Sequence, residues 1–366
     1  MTGVVIGAMM ALGMVQQTDT TFAVGEATRL EVDSPGGTIV VNVWDRQEIR
    51  IQAEHSTRTY VDIDRRGRTI DVEAEANRGP ANIVDFVITV PRAFDLELDG
   101  MYTDITVEGS DGEVEAESLQ GDVIIRGGRG VVKASSIQGR VLVEGSQGRV
   151  EAESAAAEIR IRNASGEILA ESAGGDIILE NIRATSVDVG NVGGRIYYSG
   201  SFAASGTYFF GSHGGSITLS LPESTAASMT LSTIHGSITS NLAGAPTRFE
   251  RGQRNAFDVG GGGAIVEVET FGGRIRVVRQ GTEGAAPPAP REGRAGAHLD
   301  AEALSAAISH RVGASLAGLA GTWEAALAGP LSQRVDVEVA TAVSAAVNEA
   351  LHAGFRPSPA RPIRVR

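Results

Sequence analysis

The chain has 366 residues, a formal net charge of -13 and a pI near 5.0. That excludes nucleic acid as the main partner, because a phosphate backbone needs a basic surface. The chain has no Cys, so disulfides, thiolate metal sites, a cysteine nucleophile and a lipoprotein anchor are excluded as well.

The N-terminus opens on an apolar run, Val4 to Val15, followed by Gln-Gln-Thr-Asp. The run is too short for a comfortable membrane span and suits the h-region of a signal peptide, expected over residues 1–17. It lacks the basic n-region, since no Lys or Arg precedes Arg29. A β domain is expected from 22 to 280. Its first strands fall near Arg29–Asp33, Thr38–Trp44, Glu48–Glu54, Thr69–Glu75 and Val84–Val90, by alternation of apolar and polar residues.

From Gly112 the pattern repeats every 18 residues. Val114, Val132, Val150 and Ile168 form one column. Ala116, Ala134, Ala152 and Ala170 form the next, then Ser118, Ser136, Ser154 and Ser172. The second half of each repeat gives Val123, Val141, Ile159, Ile177 and then Ile125, Val143, Ile161, Leu179. Gly121, Gly139 and Gly175 precede this second strand, with Ala157 as the exception. One repeat later the columns continue at Val187, Val189, Ile196 and Tyr198, shifted by one residue.

Two strands per repeat with matching columns mean that each turn of chain lies on the last. The expected fold is all-β, a single-stranded parallel β-solenoid with rungs ~4.8 Å apart. Charges between the inward residues test the register: Arg126, Glu144, Arg162 and Glu180 alternate in sign, as do Asp122, Arg140 and Glu158, and Lys133 falls between Glu115 and Glu151. The first wall is thin, pointing Val, Ala and Ser inward; the second buries two branched residues per rung. The Ser column suits a corner, where hydroxyls satisfy turn backbone groups. A catalytic Ser row is disfavoured, because no His or Asp repeats beside it.

Further strands are expected at Ser216–Leu221, Ser228–Ser232, Ser237–Ser240, Ala264–Thr270 and Arg274–Val278. Residues 281–297 read as a Pro/Gly/Ala linker. Beyond it the period changes: Leu304, Ile308, Val312, Leu316, Leu319, Trp323 and Leu327 mark an amphipathic helix, and Val335 to Leu351 a second. A small α-helical hairpin is thus expected over 298–353, then a basic tail over 354–366.

Three stretches carry a family resemblance. They are Leu30-Glu-Val-Asp-Ser-Pro-Gly-Gly-Thr-Ile-Val-Val-Asn-Val-Trp-Asp-Arg with Glu48-Ile-Arg-Ile, the recurrent Gly121-Asp-Val type of turn, and Met229-Thr-Leu-Ser-Thr-Ile-His-Gly-Ser-Ile with Val266-Glu-Val-Glu-Thr-Phe-Gly-Gly-Arg-Ile. Over residues 22–280 the chain resembles the bacterial "putative adhesin" family with β-strand repeats. The family usually carries Ser-Gly-Asp where this chain has His235-Gly-Ser and Phe271-Gly-Gly. The resemblance implies a β-solenoid and an envelope location.

The candidate sites are surfaces. Six histidines are scattered, without HExxH or paired metal spacing. His213 and His235 flank Gly turns and read as loop residues. The run Gly260 to Gly263 precedes neither a helix nor a Lys, unlike a phosphate loop. Glu113, Glu115, Glu117, Glu151, Glu153, Glu167 and Glu171 face outward on the first wall. Glu153 and Glu171, on adjacent rungs, could share Ca2+ through oxygen ligands; a solvated acidic wall is the plainer reading. No metal or cofactor is expected.

On the second wall Ile124, Leu142, Ile178 and Tyr197 form an outward apolar column, broken by Arg160. This column is expected to be a contact face, covered by the C-terminal helices or by a second copy in a homo-oligomer. The expected function is that of an exported, non-enzymatic binding or scaffolding surface for an envelope or extracellular protein or glycan. Self-assembly as a structural envelope protein, and glycan processing by a β-helix enzyme, are the alternatives.

Overall fold

Alternation gives each short strand one face for a core and one for solvent. In the computed structural model of the chain, the described residues are 15–76, 79, 83–250, 252–282 and 286–287. The chain divides into two compact units, Met1–Glu292 and Gly293–Arg366. The second unit lies outside the described residues, and with it the expected helices and basic tail. So do most of the 281–297 linker and the apolar run ahead of Val15. Among the described residues every regular element is a strand, and 23 strands join one mixed sheet.

The register is the one the columns require. Val132 pairs with Val114 on one side and Val150 on the other, and Val150 pairs with Ile168, all in parallel ladders. On the second wall Val123, Val141, Ile159, Ile177 and Ile196 pair in turn. The inserted residue is absorbed by a register shift at Gly166/Glu167, so that Ile168 still meets Val187. All of these inward side chains are buried. The core stays filled where the rungs lengthen. Val187 and Val189 meet Tyr208 and Phe210 one rung on, and Tyr198, Phe202, Tyr208 and Phe210 pack together with centroids 4.3 to 5.5 Å apart. The buried Tyr208 hydroxyl donates to Ala184 O and accepts from Ala203 N, both at 2.7 Å, so no polar atom is stranded there.

The Ser column forms a repeated corner staple. Ser136 Oγ donates to Gly121 O in the rung beneath at 2.9 Å and accepts from Gly139 N at 2.9 Å. Ser118 does the same, at 2.8 and 2.9 Å, to Thr103 O and from Gly121 N. Asn191, Thr270 and Thr233 take the role in later rungs. The glycine three residues on is dictated by the close approach of backbones: a Cβ on Gly139 would lie 1.9 Å from Gly121 O. At the rung where Ala157 replaces that glycine the corner opens, and the Ser154 bonds stretch to 3.4 and 3.2 Å.

Stacking does not follow chain order throughout, and here the single-stranded solenoid expected from the repeat is corrected. Asp95–Glu108 pairs not with the strand before it, Val84–Pro91, but with Arg29–Trp44, which lies between the two. At the other end Thr207–Ser212 and Ile217–Leu221 pair with Ala264–Thr270 and Arg274–Arg279. The intervening strands Ala227–Thr233 and Ser237–Ser240 sit beyond these. Both ends are therefore inverted. Antiparallel strands also appear at the ends: Val15–Ala23 on Glu48–Ser56, Glu48–Ser56 on Val84–Pro91, Thr59–Arg66 on Thr69–Ala76, and Arg254–Val259 on Ala227–Thr233. They cover parallel edges that would otherwise offer unpaired N–H and C=O groups.

Candidate functional site

The outer face of the first wall carries carboxylates in two adjacent columns. One runs Glu73, Asp33, Asp99, Glu117, Ser135, Glu153, Glu171 through successive Cα partners. The other runs Asp71, Glu31, Glu97, Glu115, Lys133, Glu151, Leu169, Asp188. In register these columns run further than the 18-residue repeat delimits. Residues 97–99 lie one 18-residue period before Glu115 to Glu117, whereas 31–33 and 71–73 were invisible as members because the rung order at that end is inverted. Their signal was there in the recurring apolar-acid-apolar-acid pattern of Leu30 to Asp33, Ile70 to Glu73 and Leu96 to Asp99.

Like charges one rung apart raise the cost of ionisation. Burial, then the neighbours Asp33 and Glu117, pushes Asp99 up to about 7. Burial, then Glu153 and Asp188, pushes Glu171 up to about 7. Burial and the carboxylates of Glu117 and Glu151 also raise Glu153. Cations relieve only parts of the face. Lys133 Nζ lies 3.5 Å from Glu115 and 4.0 Å from Glu113; Arg149 lies 2.6 Å from Glu151 and 3.7 Å from Glu167. Lys133 sits between Glu115 and Glu151 in register, but Arg149 takes Glu151. Among the described residues no group of three His, Cys, Asp or Glu is placed to hold a metal ion.

On the second wall the outward column is continuous in register: Ile124, Leu142, Arg160, Ile178, Tyr197. It extends beyond the repeat through Thr106 and Val40 to Val87. Ile124 and Leu142 are half-buried; Ile178 and Tyr197 are buried, at 0% and 4% exposure, though they stand apart from the continuous core. Arg160 is buried too. Its Nε donates to Glu158 at 2.7 Å and its Nη1 to Glu180 at 2.9 Å, while Arg162 shares Glu180 at 2.7 Å. Burial opposes the guanidinium charge, but Glu158 and Glu180 hold it protonated. The C-terminal helices offered as a cover lie outside the described residues.

The histidines take structural places. His55 is buried and bonds Thr18 Oγ1 and Ser56 O, both at 3.0 Å. His213 stacks on Phe271 with centroids 5.0 Å apart, and His235 meets the edge of that ring at 5.0 Å. These three side chains stand at successive rung corners, where Gly turns were expected. His298, His310 and His352 lie outside the described residues. Gly260 to Gly263, all at positive φ, link Arg254–Val259 to Ala264–Thr270.

Several solved structures are similar to this chain. They include a putative lipid binding protein from Parabacteroides distasonis (10% identity, 73% of this chain and 97% of that one, TM-score 0.45). Another is a putative adhesin from Bacteroides fragilis (16% identity, 72% and 97%, TM-score 0.36). A third is a putative cell adhesion protein from Clostridium sporogenes (10% identity, 73% and 100%, TM-score 0.23). No curated protein matches the chain. The family model described as Toastrack DUF4097 matches residues 27–263, which takes in the stacked rungs and the N-terminal inverted end and stops just ahead of Ala264–Thr270, and the chain belongs to that family.

Proposed function

We propose that this protein is an exported, non-enzymatic β-solenoid of the cell envelope, with walls that serve as an adhesin-like binding or scaffolding surface for an extracellular protein or glycan. The observation that carries the reading is the in-register ladder of the first wall, from Ile70 through Val132 to Met229. It holds outward side chains at a fixed pitch of ~4.8 Å on a continuous core. Such a face gathers many weak contacts into one useful affinity.

Chemistry of the site supports binding over turnover. The acidic columns set carboxylate beside carboxylate at rung spacing, with Lys133 and Arg149 relieving part of the face, an arrangement suited to gathering contacts along its length. A glycan array and an envelope-protein panel test the reading, paired with a hydrolase-substrate screen and protease shaving of intact cells. Binding that weakens when Glu115, Glu117, Glu151 and Glu153 are changed to Gln, on a protein accessible from outside, is the expected result. Turnover of any glycan substrate, or complete protection from external protease together with a cytoplasmic location, sinks it.

A further inference from the structure

The inverted C-terminal end is built as a module. Ala227–Thr233 and Ser237–Ser240 pack on Ala264–Thr270 and Arg274–Arg279, and Arg254–Val259 closes the outer side of the first. One linker, Pro222 to Ala226, joins residues 227–282 to the rung before them. Docking is by two parallel ladders: Thr207–Ser212 with Ala264–Thr270, and Ile217–Leu221 with Arg274–Arg279. Buried residues meet across this joint, Tyr208 over Val266, Phe210 over Val268, Ile217 over Ile275 and Leu219 over Val277. At its corner Thr270 Oγ1 donates to Gly215 O at 3.2 Å and Phe271 stacks on His213.

Each of these contacts joins residues far apart in the chain, and each would form equally well with a second copy. We propose that residues 227–282 are an exchangeable module, traded reciprocally between two copies of this chain so that each body carries the other's end. The linker suits the exchange. In the closed form it is a turn, with Thr225 N and Thr225 Oγ1 both donating to Pro222 O, at 3.2 and 2.7 Å. Extended, its five residues reach roughly 17 Å, more than the two rung spacings, roughly 10 Å, that it crosses to reach the outermost rung. Opening gives up those local bonds, while the ladders and buried pairs re-form in the dimer. The balance is then set by linker geometry and concentration.

The N-terminal end, though also inverted, is less suited. Its connection is Arg92 to Phe94, pinned by Arg92 N to Trp44 O and by Asp111 N to Arg92 O. Exchange belongs to the C-terminal end, and it stands independently of what the walls bind.

The chain has no Cys, which allows a clean test. Thr218 and Arg276 are register partners across the joint, and neither is buried. In the full chain carrying Thr218→Cys and Arg276→Cys, a link within one monomer reports the closed form and a link between chains reports exchange. Protein held at high concentration in mild denaturant, returned to buffer and oxidised, is expected to give a covalent dimer of doubled mass by light scattering. Deleting Glu223 to Thr225, which keeps the turn from closing, should raise the dimer fraction about tenfold or more. Protein oxidised before that treatment should stay monomeric. Cross-linked monomer alone after the full treatment overturns the proposal, whether or not the shortened variant folds.

Discussion

The middle of the stack and its two ends are made of the same strands but ordered by different rules. Between Asp95 and Leu221 each rung lies on its predecessor in the chain, so sequence spacing and spatial spacing run together. At both ends the rung docked on the middle is the one more distant in sequence, and the nearer rung is outermost. The middle is thus held by local contacts repeated many times, the ends by a few long-range ladders. Stability should be highest in the middle and fall toward the caps.

Steric tests of the close approach on which the middle depends should give the largest effects. Gly139→Val would drive a Cβ to 1.9 Å from Gly121 O, a backbone atom that cannot move without displacing the rung below. A loss of more than about 3 kcal/mol is expected. Gly174→Ala, whose added Cβ would come no nearer than 3.5 Å to Ala155 O, should stay within about 0.5 kcal/mol of the parent. Equal effects in chemical denaturation would mean that the corners are not close-packed. Next comes burial. Ile161→Ala, at 0% exposure, should lose about 2–5 kcal/mol. Ile238→Ala, in the thinly packed outermost rung where the side chain is only partly buried, should lose about 1 kcal/mol or less. Hydrogen exchange should follow the same order, with amides of Ser237–Ser240 exchanging ahead of those of Ile159–Arg162.

How much of this was legible follows from the same contrast. Register, corner hydroxyls, the thin and thick walls and the Ala157 exception were readable, because an 18-residue period leaves a column for each. The strands Val15–Ala23, Thr59–Arg66, Thr207–Ser212 and Arg254–Val259 were not. Asp95–Glu108 stands one 18-residue period before Val114–Ser118 and Val123–Arg126, so its columns were legible; the others belong to antiparallel caps or to a rung of changed length, and no column marks them. Of the acidic columns, Asp99 falls one period before Glu117 and was within reach of the spacing, while Asp33 and Glu73 were hidden by the inverted rung order. The second-wall column was found in register, but Ile178 and Tyr197 are buried rather than presented, which spacing cannot tell.

The carboxylate columns predict a pH dependence of intermediate size. Asp99 and Glu171 titrate near 7 in the folded chain, against about 4 for an ordinary carboxyl. Between those values the folded state binds more protons than the unfolded one, so stability falls as pH rises from about 4 to 7 and levels off above. The midpoint of thermal unfolding should therefore be higher at pH 5.5 than at pH 8, by a few degrees. Replacing Asp99 with Asn and Glu171 with Gln should raise the pH 8 value and flatten the profile. A double variant that keeps the parent's full pH slope would show that the columns are fully hydrated and that repulsion along the wall is screened.

The smallest effect separates two rungs within the middle itself. Ser136 and Ser154 occupy the same corner, and each links one carbonyl below to one N–H three residues on. In Ser136 both bonds are 2.9 Å; in Ser154, where Ala157 stands in place of Gly, they are 3.4 and 3.2 Å. Removing the hydroxyl leaves a buried donor and acceptor unmet, at a cost of about 1–3 kcal/mol when the bonds are well formed. Ser136→Ala should fall in that range, and Ser154→Ala about 0.5–1 kcal/mol below it, because longer bonds have less to lose. Ala157→Gly lets the corner close, so Ser154→Ala made in that background should become as costly as Ser136→Ala. If the two serines cost the same in both backgrounds, the glycine column serves the turn conformation alone, and the approach of neighbouring rungs is set elsewhere.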